Sequence, residues 1–197
     1  MSNKQTIVFD DVHWSYIPKA ISDPDLVFQT LLEQIKDKVV SYQITSAYAE
    51  EGKTFPSKRL SCVFSDQAST QYNSDIPIYP WNSSSMIVMI KERMEQLLGI
   101  KFDYVLCHLY RNGRDHISPH RDREAMKTTI ASVSLGAKRK FRLRKMGETK
   151  GWEEEFEMES GAMIVMKPTC QHNYVHWVPE EKKISEPRIN LTFRQNE

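Results

Sequence analysis

The chain has almost no surplus of either charge. Its 27 Lys and Arg face 26 Asp and Glu, for a formal net charge of +1. Charge alone therefore does not announce a nucleic-acid binder. Cysteine is scarce: Cys62, Cys107 and Cys170 are odd in number, far apart and in no C-x-x-C pair. That argues against a disulfide framework or a zinc knuckle and for a reducing interior. No stretch approaches the apolar length of a membrane span. The opening "MSNKQTIVFDD" has neither an apolar signal core nor an Arg-rich amphipathic run. Internal repeats and low-complexity tracts are missing too. The expectation is a soluble intracellular protein with no membrane partner. Its 197 residues, 40% of them hydrophobic, suit one domain with a substantial core.

What is present divides near residue 100. "SDPDLVFQTLLEQIKDK" predicts a helix with Asp23 as N-cap and Pro24 at the first helical position. Phe28, Leu31, Leu32 and Ile35 recur there at helical spacing. "SSSMIVMIKERMEQLLG" predicts a second helix, opened by serines and closed by Gly99, with Ile87, Ile90, Met94, Leu97 and Leu98 as its stripe. From Phe102 the period falls to two. "FDYVLCHLY", "TTIASVSLGAKRKFRLRK" with a break near Gly136, "WEEEFEME", "AMIVMK", "QHNYVHW" and "RINLTFR" all read as short strands. That series suits a sandwich or jelly roll. The segment 46–82 is the least regular, and such a stretch in a compact domain is often a functional loop or lid.

One stretch carries chemistry. In "ISPHRDRE", His120 and Asp122 lie two apart, on one face of an extended strand. A lone H-x-D pair is a weak signal. A later histidine is available, since His172 and His176 share a face if "QHNYVHW" is extended. Two histidines and a carboxylate form the facial triad of non-haem iron oxygenases, and zinc can use the same ligands. In "RINLTFR", Arg188, Asn190, Thr192 and Arg194 share one face while Ile189, Leu191 and Phe193 take the other. Two arginines pointing inward need a buried anionic partner. A dicarboxylate fits, because a guanidinium can grip a carboxylate with two parallel hydrogen bonds.

Taken together, "YVLCHLYRNGRDHISPHRDRE", "IASVSLGAKRKFRLR" and "PRINLTFR" resemble the AlkB family of Fe(II)/2-oxoglutarate-dependent nucleic-acid dealkylases, in particular its eukaryotic DNA-repair branch. The similarity runs from residue 102 to 194 and continues upstream through "FPSKRLSCVFSD". The resemblance implies His120 and Asp122 as the first two iron ligands and His176, in "VHWVP", as the third. It implies that Arg188 and Arg194 contact 2-oxoglutarate, with Asn190 and Thr192 on the same strand and Tyr110 adding a contact. His108 stands where the family usually has asparagine; an imidazole still offers one hydrogen bond to the co-substrate, with its own geometry and pH dependence. Glu124 matches an acidic residue that contacts the damaged base, and Arg59 an arginine of the substrate-recognition lid. Tyr72 lies where an aromatic ring stacks on the base. The lid region has extra residues and lacks the family's turn glycine near Phe64–Asp66.

The fold so implied is α+β, mainly β: a double-stranded β-helix, or jelly roll, with N-terminal helices packed on the sheet and a lid. Residues 1–197 form one dioxygenase domain, in which 1–100 supply helices and nucleotide-recognition lid and 101–197 the catalytic core. The implied activity is oxidative demethylation of N-alkylated bases of the 1-methyladenine and 3-methylcytosine type in DNA, by a monomeric enzyme. Fe(II) is its cofactor, 2-oxoglutarate and O2 are co-substrates, and formaldehyde and succinate leave. An RNA or methylated-protein substrate keeps the chemistry; a catalytically silent nucleic-acid-binding module keeps only the fold. The intact ligand set and both arginines argue against silence. The compartment expected is the nucleus in a eukaryotic host and the cytoplasm otherwise. A base inside a duplex cannot reach a buried metal, so it must be flipped or single-stranded. "KRKFRLRK", with six basic residues, has two readings. It makes phosphate contacts, or it pairs with the acidic "EEEFEME" as a charged ladder across a hairpin.

Overall fold

The computed structural model describes residues 9–10, 12–45, 54–67 and 75–196. Strands β1 (Phe9–Asp10) and β2 (Trp14–Ile17) precede helix α1 (Pro24–Ile35). The hairpin β3 (Gln43–Thr45) and β4 (Thr54–Pro56) follows, then β5 (Leu60–Phe64), β6 (Ile78–Tyr79) and helix α2 (Ser85–Leu98). The second half runs β7 (Tyr104–Tyr110), β8 (Ile117–His120), β9 (Ile130–Gly136), β10 (Arg139–Lys145), β11 (Glu154–Met158) and β12 (Met163–Met166). It closes with α3 (Pro168–Asn173), β13 (Tyr174–Val178) and β14 (Arg188–Arg194).

Two sheets make the jelly roll. The larger has the order β1-β2-β12-β9-β14-β7-β5-β6, and the smaller β11-β10-β13-β8. β14 lies between β7 and β9, antiparallel to both. Its two faces have different jobs. Ile189, Leu191 and Phe193 join Val105, Cys107, Val133 and Leu135 in a core closed from outside by α1 and α2. Val27, Phe28, Leu31 and Ile35 of α1 and Ile87, Ile90 and Met94 of α2 supply the helical side. The opposite face of the large sheet meets the small one, where Ile130, Ile164 and Met166 pack with Phe141, Leu143 and Tyr174. Gly136 ends β9 with φ 85°, and an added Cβ would lie 2.6 Å from both the Phe28 ring and the Pro187 carbonyl oxygen. Only glycine has room for this crossing from one sheet to the other. All three cysteines are buried and unpaired, as expected of small apolar residues.

Three local expectations need correction, and one strand carried no sequence signal. Asp23 does not cap α1 through its side chain: it sits at φ 48°, ψ 50°, with no cap hydrogen bond. A following proline favours the extended backbone that a capping residue also uses, and Asp23 departs from it. Ser84, by contrast, caps α2 by accepting from Ile87 N, and Gly99 ends it at φ 69°. "QHNYVHW" is not all strand; Pro168 starts a short helix that ends at Asn173, consistent with proline's fit to the first helical turn. Segment 46–82 is not irregular throughout, because Leu60–Phe64 is a buried strand beside β7. "WSYI", which no motif had marked, pairs with β12.

α2 also anchors the entry to β7. Glu95 is buried, and its carboxylate meets Lys91 and Lys101 at 2.6 Å each and accepts from Phe102 N at 3.1 Å. Burial alone would raise its pKa, but these donors lower it from 4.5 to about 2. A depressed carboxylate pKa adds stability above the unfolded value, and that stability fades as pH falls from 4.5 towards 2. Glu95→Gln is expected to cost about 1–2 kcal/mol near pH 7, allowing for screening at the exposed Lys101. Urea denaturation of both proteins at neutral pH and at acid pH checks it: the gap between them should close in acid.

Candidate metal centre

His120 ends β8 and His176 lies in β13, and the two are direct cross-strand partners. Their rings are 4.4 Å apart. Asp122, two residues beyond His120, turns back toward both. Its Oδ1 is 3.8 Å from His120 Nε2 and its Oδ2 3.4 Å from His176 Nε2. One ligand atom from each of the three residues lies within 4.8 Å of the others. Three atoms so spaced can share one cation.

The surroundings suit that use. His120 Nδ1 is 2.9 Å from the Ser118 carbonyl oxygen, so Nδ1 holds the proton and Nε2 is left bare, as a metal ligand needs. Phe141 stacks on the His176 ring at 5.5 Å. Asp122 N donates to the buried Gln171 Oε1 at 2.9 Å, fixing the loop that carries the carboxylate. Burial and the neighbouring His176 bring the His120 pKa down to about 3. Burial would raise that of Asp122, but Arg194 and the two histidines hold it well below the ordinary carboxylate range. The set is therefore two imidazoles and an ionised carboxylate. It fits a divalent iron ion with coordination positions left open.

A cavity of about 110 Å³ opens beside the three residues, lined also by Arg59, His108, Tyr110, Asn190, Thr192 and Arg194. The arginines of β14 differ in their company. Arg188 is 1% exposed. Its Nε donates to Ser134 Oγ at 2.8 Å, it also hydrogen-bonds Tyr110, and its Nη1 has no partner among the described residues. Burial lowers its pKa to about 10, which still leaves it charged at neutral pH. A buried guanidinium with an unsatisfied N–H is a receptor for an anion. Arg194 instead meets Asp122 Oδ1 at 2.9 Å through Nη2 and the Glu124 carboxylate through Nη1. Asn190 Nδ2 donates to Ser132 Oγ and the Val133 carbonyl oxygen, both at 2.9 Å. Thr192 donates to the Leu106 carbonyl oxygen at 3.3 Å.

The sites expected from sequence are thus brought together in large part. His120, Asp122, His176, His108, Tyr110, Asn190, Thr192, Arg194 and Arg59 line one cavity, and Arg188 lies behind Tyr110. Glu124 faces inward onto Arg194 rather than standing free for a base. His172 is exposed on α3 and shares no face with His176. Tyr72 lies outside the described residues. "KRKFRLRK" takes the ladder reading. Lys138 pairs with Glu157, Lys140 and Arg142 with Glu155, and Lys145 with Glu153, at 2.6–3.1 Å. Arg139 turns inward to Glu181 and to the carbonyls of Asn112, Asp115 and Pro179, tying together the two loops that flank the cavity strands. Ser132, Ser134 and Gln171 were missed. The serines alternate with Ala131, Val133 and Leu135, and that period could have found them; Gln171 sits on a short helix and gave no signal.

The profile of the 2OG-Fe(II) oxygenase superfamily matches residues 14–194. The DNA oxidative demethylase ALKBH2 of Bos taurus is 30% identical over 187 residues, covering 88% of this chain and 65% of that protein's length. That of Homo sapiens is 30% identical over 186 residues, covering 88% of this chain and 69% of the human protein. The solved structure of OsALKBH1 superposes with a TM-score of 0.61 at 16% identity, over 97% of this chain and 100% of that one, a likeness of fold.

Proposed function

Because the chain belongs to the 2OG-Fe(II) oxygenase superfamily, and within it to the AlkB family, we propose that it removes N-linked methyl groups from nucleic-acid bases by oxidation, with alkylated DNA as the favoured substrate. The observation that carries this reading is the triad of His120, Asp122 and His176 at the wall of a cavity with a partly unsatisfied, buried arginine behind it. When bound, Fe(II) with 2-oxoglutarate and O2 supplies hydroxylation of the N-methyl carbon, which leaves as formaldehyde while the keto acid becomes succinate and CO2.

The chain's own residues hold and orient. Arg188 receives the distal carboxylate of 2-oxoglutarate, and Tyr110 steadies that guanidinium. Asn190 and Thr192 shape the strand beneath the co-substrate, and His108 offers one hydrogen bond. Arg194 keeps Asp122 ionised and aimed at the metal. Arg59, at the cavity wall, faces the entering base. Glu124 lends negative charge next to Arg194, which suits cationic lesions such as 1-methyladenine and 3-methylcytosine. The narrow cavity requires an extruded or single-stranded base. The whole chain works as one dioxygenase domain and as a monomer. A complete donor set supports turnover over silent binding.

A competition assay tests the reading. Methylated single- and double-stranded DNA and RNA oligonucleotides are mixed with protein, Fe(II) and 2-oxoglutarate, and read by mass spectrometry. Loss of methyl mass is expected, fastest from DNA and dependent on both additives. Unchanged masses in every oligonucleotide overturn the proposal, and preferential loss from RNA overturns the choice of DNA.

A further inference from the structure

Arg139, the first residue of β10, is 1% exposed, although the strand around it forms a solvated charge ladder. Its Nε meets Glu181 Oε2 at 3.1 Å and its Nη1 donates to the Asn112 carbonyl oxygen at 3.2 Å. Its Nη2 donates to the carbonyl oxygens of Asp115 at 2.9 Å and Pro179 at 2.7 Å. These acceptors lie on two loops. Residues 111–116 leave β7 directly after Tyr110, and residues 179–187 enter β14 directly before Arg188. The loops also bond each other: Glu181 N donates to the Gly113 carbonyl oxygen at 2.7 Å, and Gly113 N to that of Ile184 at 2.8 Å. A Cβ added at Gly113 would lie 1.9 Å from the Glu181 carbonyl oxygen, so only glycine permits this approach.

The two loops meet at one ring. Arg139 Cζ lies 5.6 Å from the centre of the Tyr110 ring and Arg188 Cζ 5.1 Å from it. Among the described residues, Glu181 is the one carboxylate paired with either arginine. Two buried positive charges against one negative charge leave a place for a further anion. Tyr110 lines the cavity, whereas Arg139 is not among its lining residues.

We propose that Arg139 is a positioning residue for the dicarboxylate co-substrate: by latching loops 111–116 and 179–187 together, it fixes Tyr110 and Arg188 at the spacing that the distal carboxylate needs. The proposal rests on the reading of this cavity as the 2-oxoglutarate site. Three of the four acceptors of Arg139 are backbone carbonyls, so its side chain sets where the chain leaves β7 and where it enters β14. A planar guanidinium reaches all four acceptors at once; a lysine ammonium keeps the charge but not the fork. Carbonyls left without a donor are costly when buried, so the loops must shift to find new partners, and Tyr110 and Arg188 shift with them.

The test uses the full chain loaded with Zn(II) in place of iron, and calorimetry reads the affinities for the metal and for 2-oxoglutarate separately. Arg139→Lys is expected to weaken 2-oxoglutarate binding about tenfold, the scale of one well-placed hydrogen bond, and to leave metal affinity unchanged. Gly113→Ala, which forces the loops apart while keeping Arg139, should move the same readout in the same direction; it decides alone if Arg139→Lys does not fold. In an Arg188→Ala background, which has no guanidinium left to place, Arg139→Lys should add little further loss. Unchanged 2-oxoglutarate affinity in the folded variants overturns the latch while the functional reading stands. Equal losses of metal and 2-oxoglutarate affinity mark a general loosening and overturn it as well, and fully additive losses with Arg188→Ala overturn the claim that Arg139 acts through Arg188. A wild type that takes up metal but no 2-oxoglutarate overturns the ligand assignment and the functional reading with it.

Discussion

Asp122→Ala is expected to abolish demethylation and to weaken metal binding by more than about 100-fold, beyond the 10–100-fold typical of residues that only support the ligands. Asp122 supplies the one carboxylate among the three donors. Without it a divalent cation meets two imidazoles and no compensating charge. Worse, Arg194 loses its 2.9 Å partner and turns an uncancelled positive charge toward the same point. The fold should survive, since Arg194 keeps its pairing with Glu124. Asp122→Asn keeps the shape and removes only the charge, so it should fail similarly with an unchanged melting profile. Metal analysis after dialysis and formaldehyde release on methylated oligonucleotide read the result. Undiminished turnover in either variant removes Asp122 from the site.

Arg188→Ala is expected to raise the KM for 2-oxoglutarate about 30-fold, equivalent to about 2 kcal/mol for a charge-assisted hydrogen bond in a buried site. The reasoning turns on what Arg188 lacks. Ser134 and Tyr110 account for part of its guanidinium, yet Nη1 is buried with no partner among the described residues. Leaving such a group unsatisfied is costly, and a carboxylate would satisfy it. Arg188→Lys keeps the charge and loses the planar fork, so it should fall between the two. Arg194 should behave differently, because it already holds Asp122 and Glu124. Its loss should damage metal binding first and 2-oxoglutarate affinity second. An unchanged KM and rate in Arg188→Ala would refute the clamp.

Several of these features are legible in the sequence itself. The alternation of "RINLTFR" separates a core face from a polar face because side chains in a strand have a period of two. β14 obeys it residue by residue, with Ile189, Leu191 and Phe193 in the helical core and Asn190, Thr192 and Arg194 at the cavity. The apolar stripes of α1 and α2 were equally plain. Other features depend on register, which no local pattern encodes. His120 and His176 become partners only when β8 and β13 pair, across 56 positions of chain. The 2.7 Å contact between Ser61 and His108 depends in the same way on the pairing of β5 with β7. The shares of Arg194 taken by Asp122 and Glu124 are likewise a matter of three dimensions. Asp23 misled because its backbone is left-handed, not the extended conformation from which a side chain caps a helix. His172 misled because Pro168 winds its neighbourhood into a helical turn. In "KRKFRLRK" both readings had a physical basis, and the register of β10 against β11 decides for the ladder by setting Arg142 opposite Glu155.

The most direct check on the whole account is an anaerobic titration of the metal-free chain with Fe(II), with and without 2-oxoglutarate, followed by calorimetry and visible absorption. One iron per chain is predicted, with 2-oxoglutarate binding tightly only after the metal and a new absorption band developing when both are present. A chain that takes up no iron, or that binds 2-oxoglutarate equally well without metal and in Asp122→Ala, would contradict it.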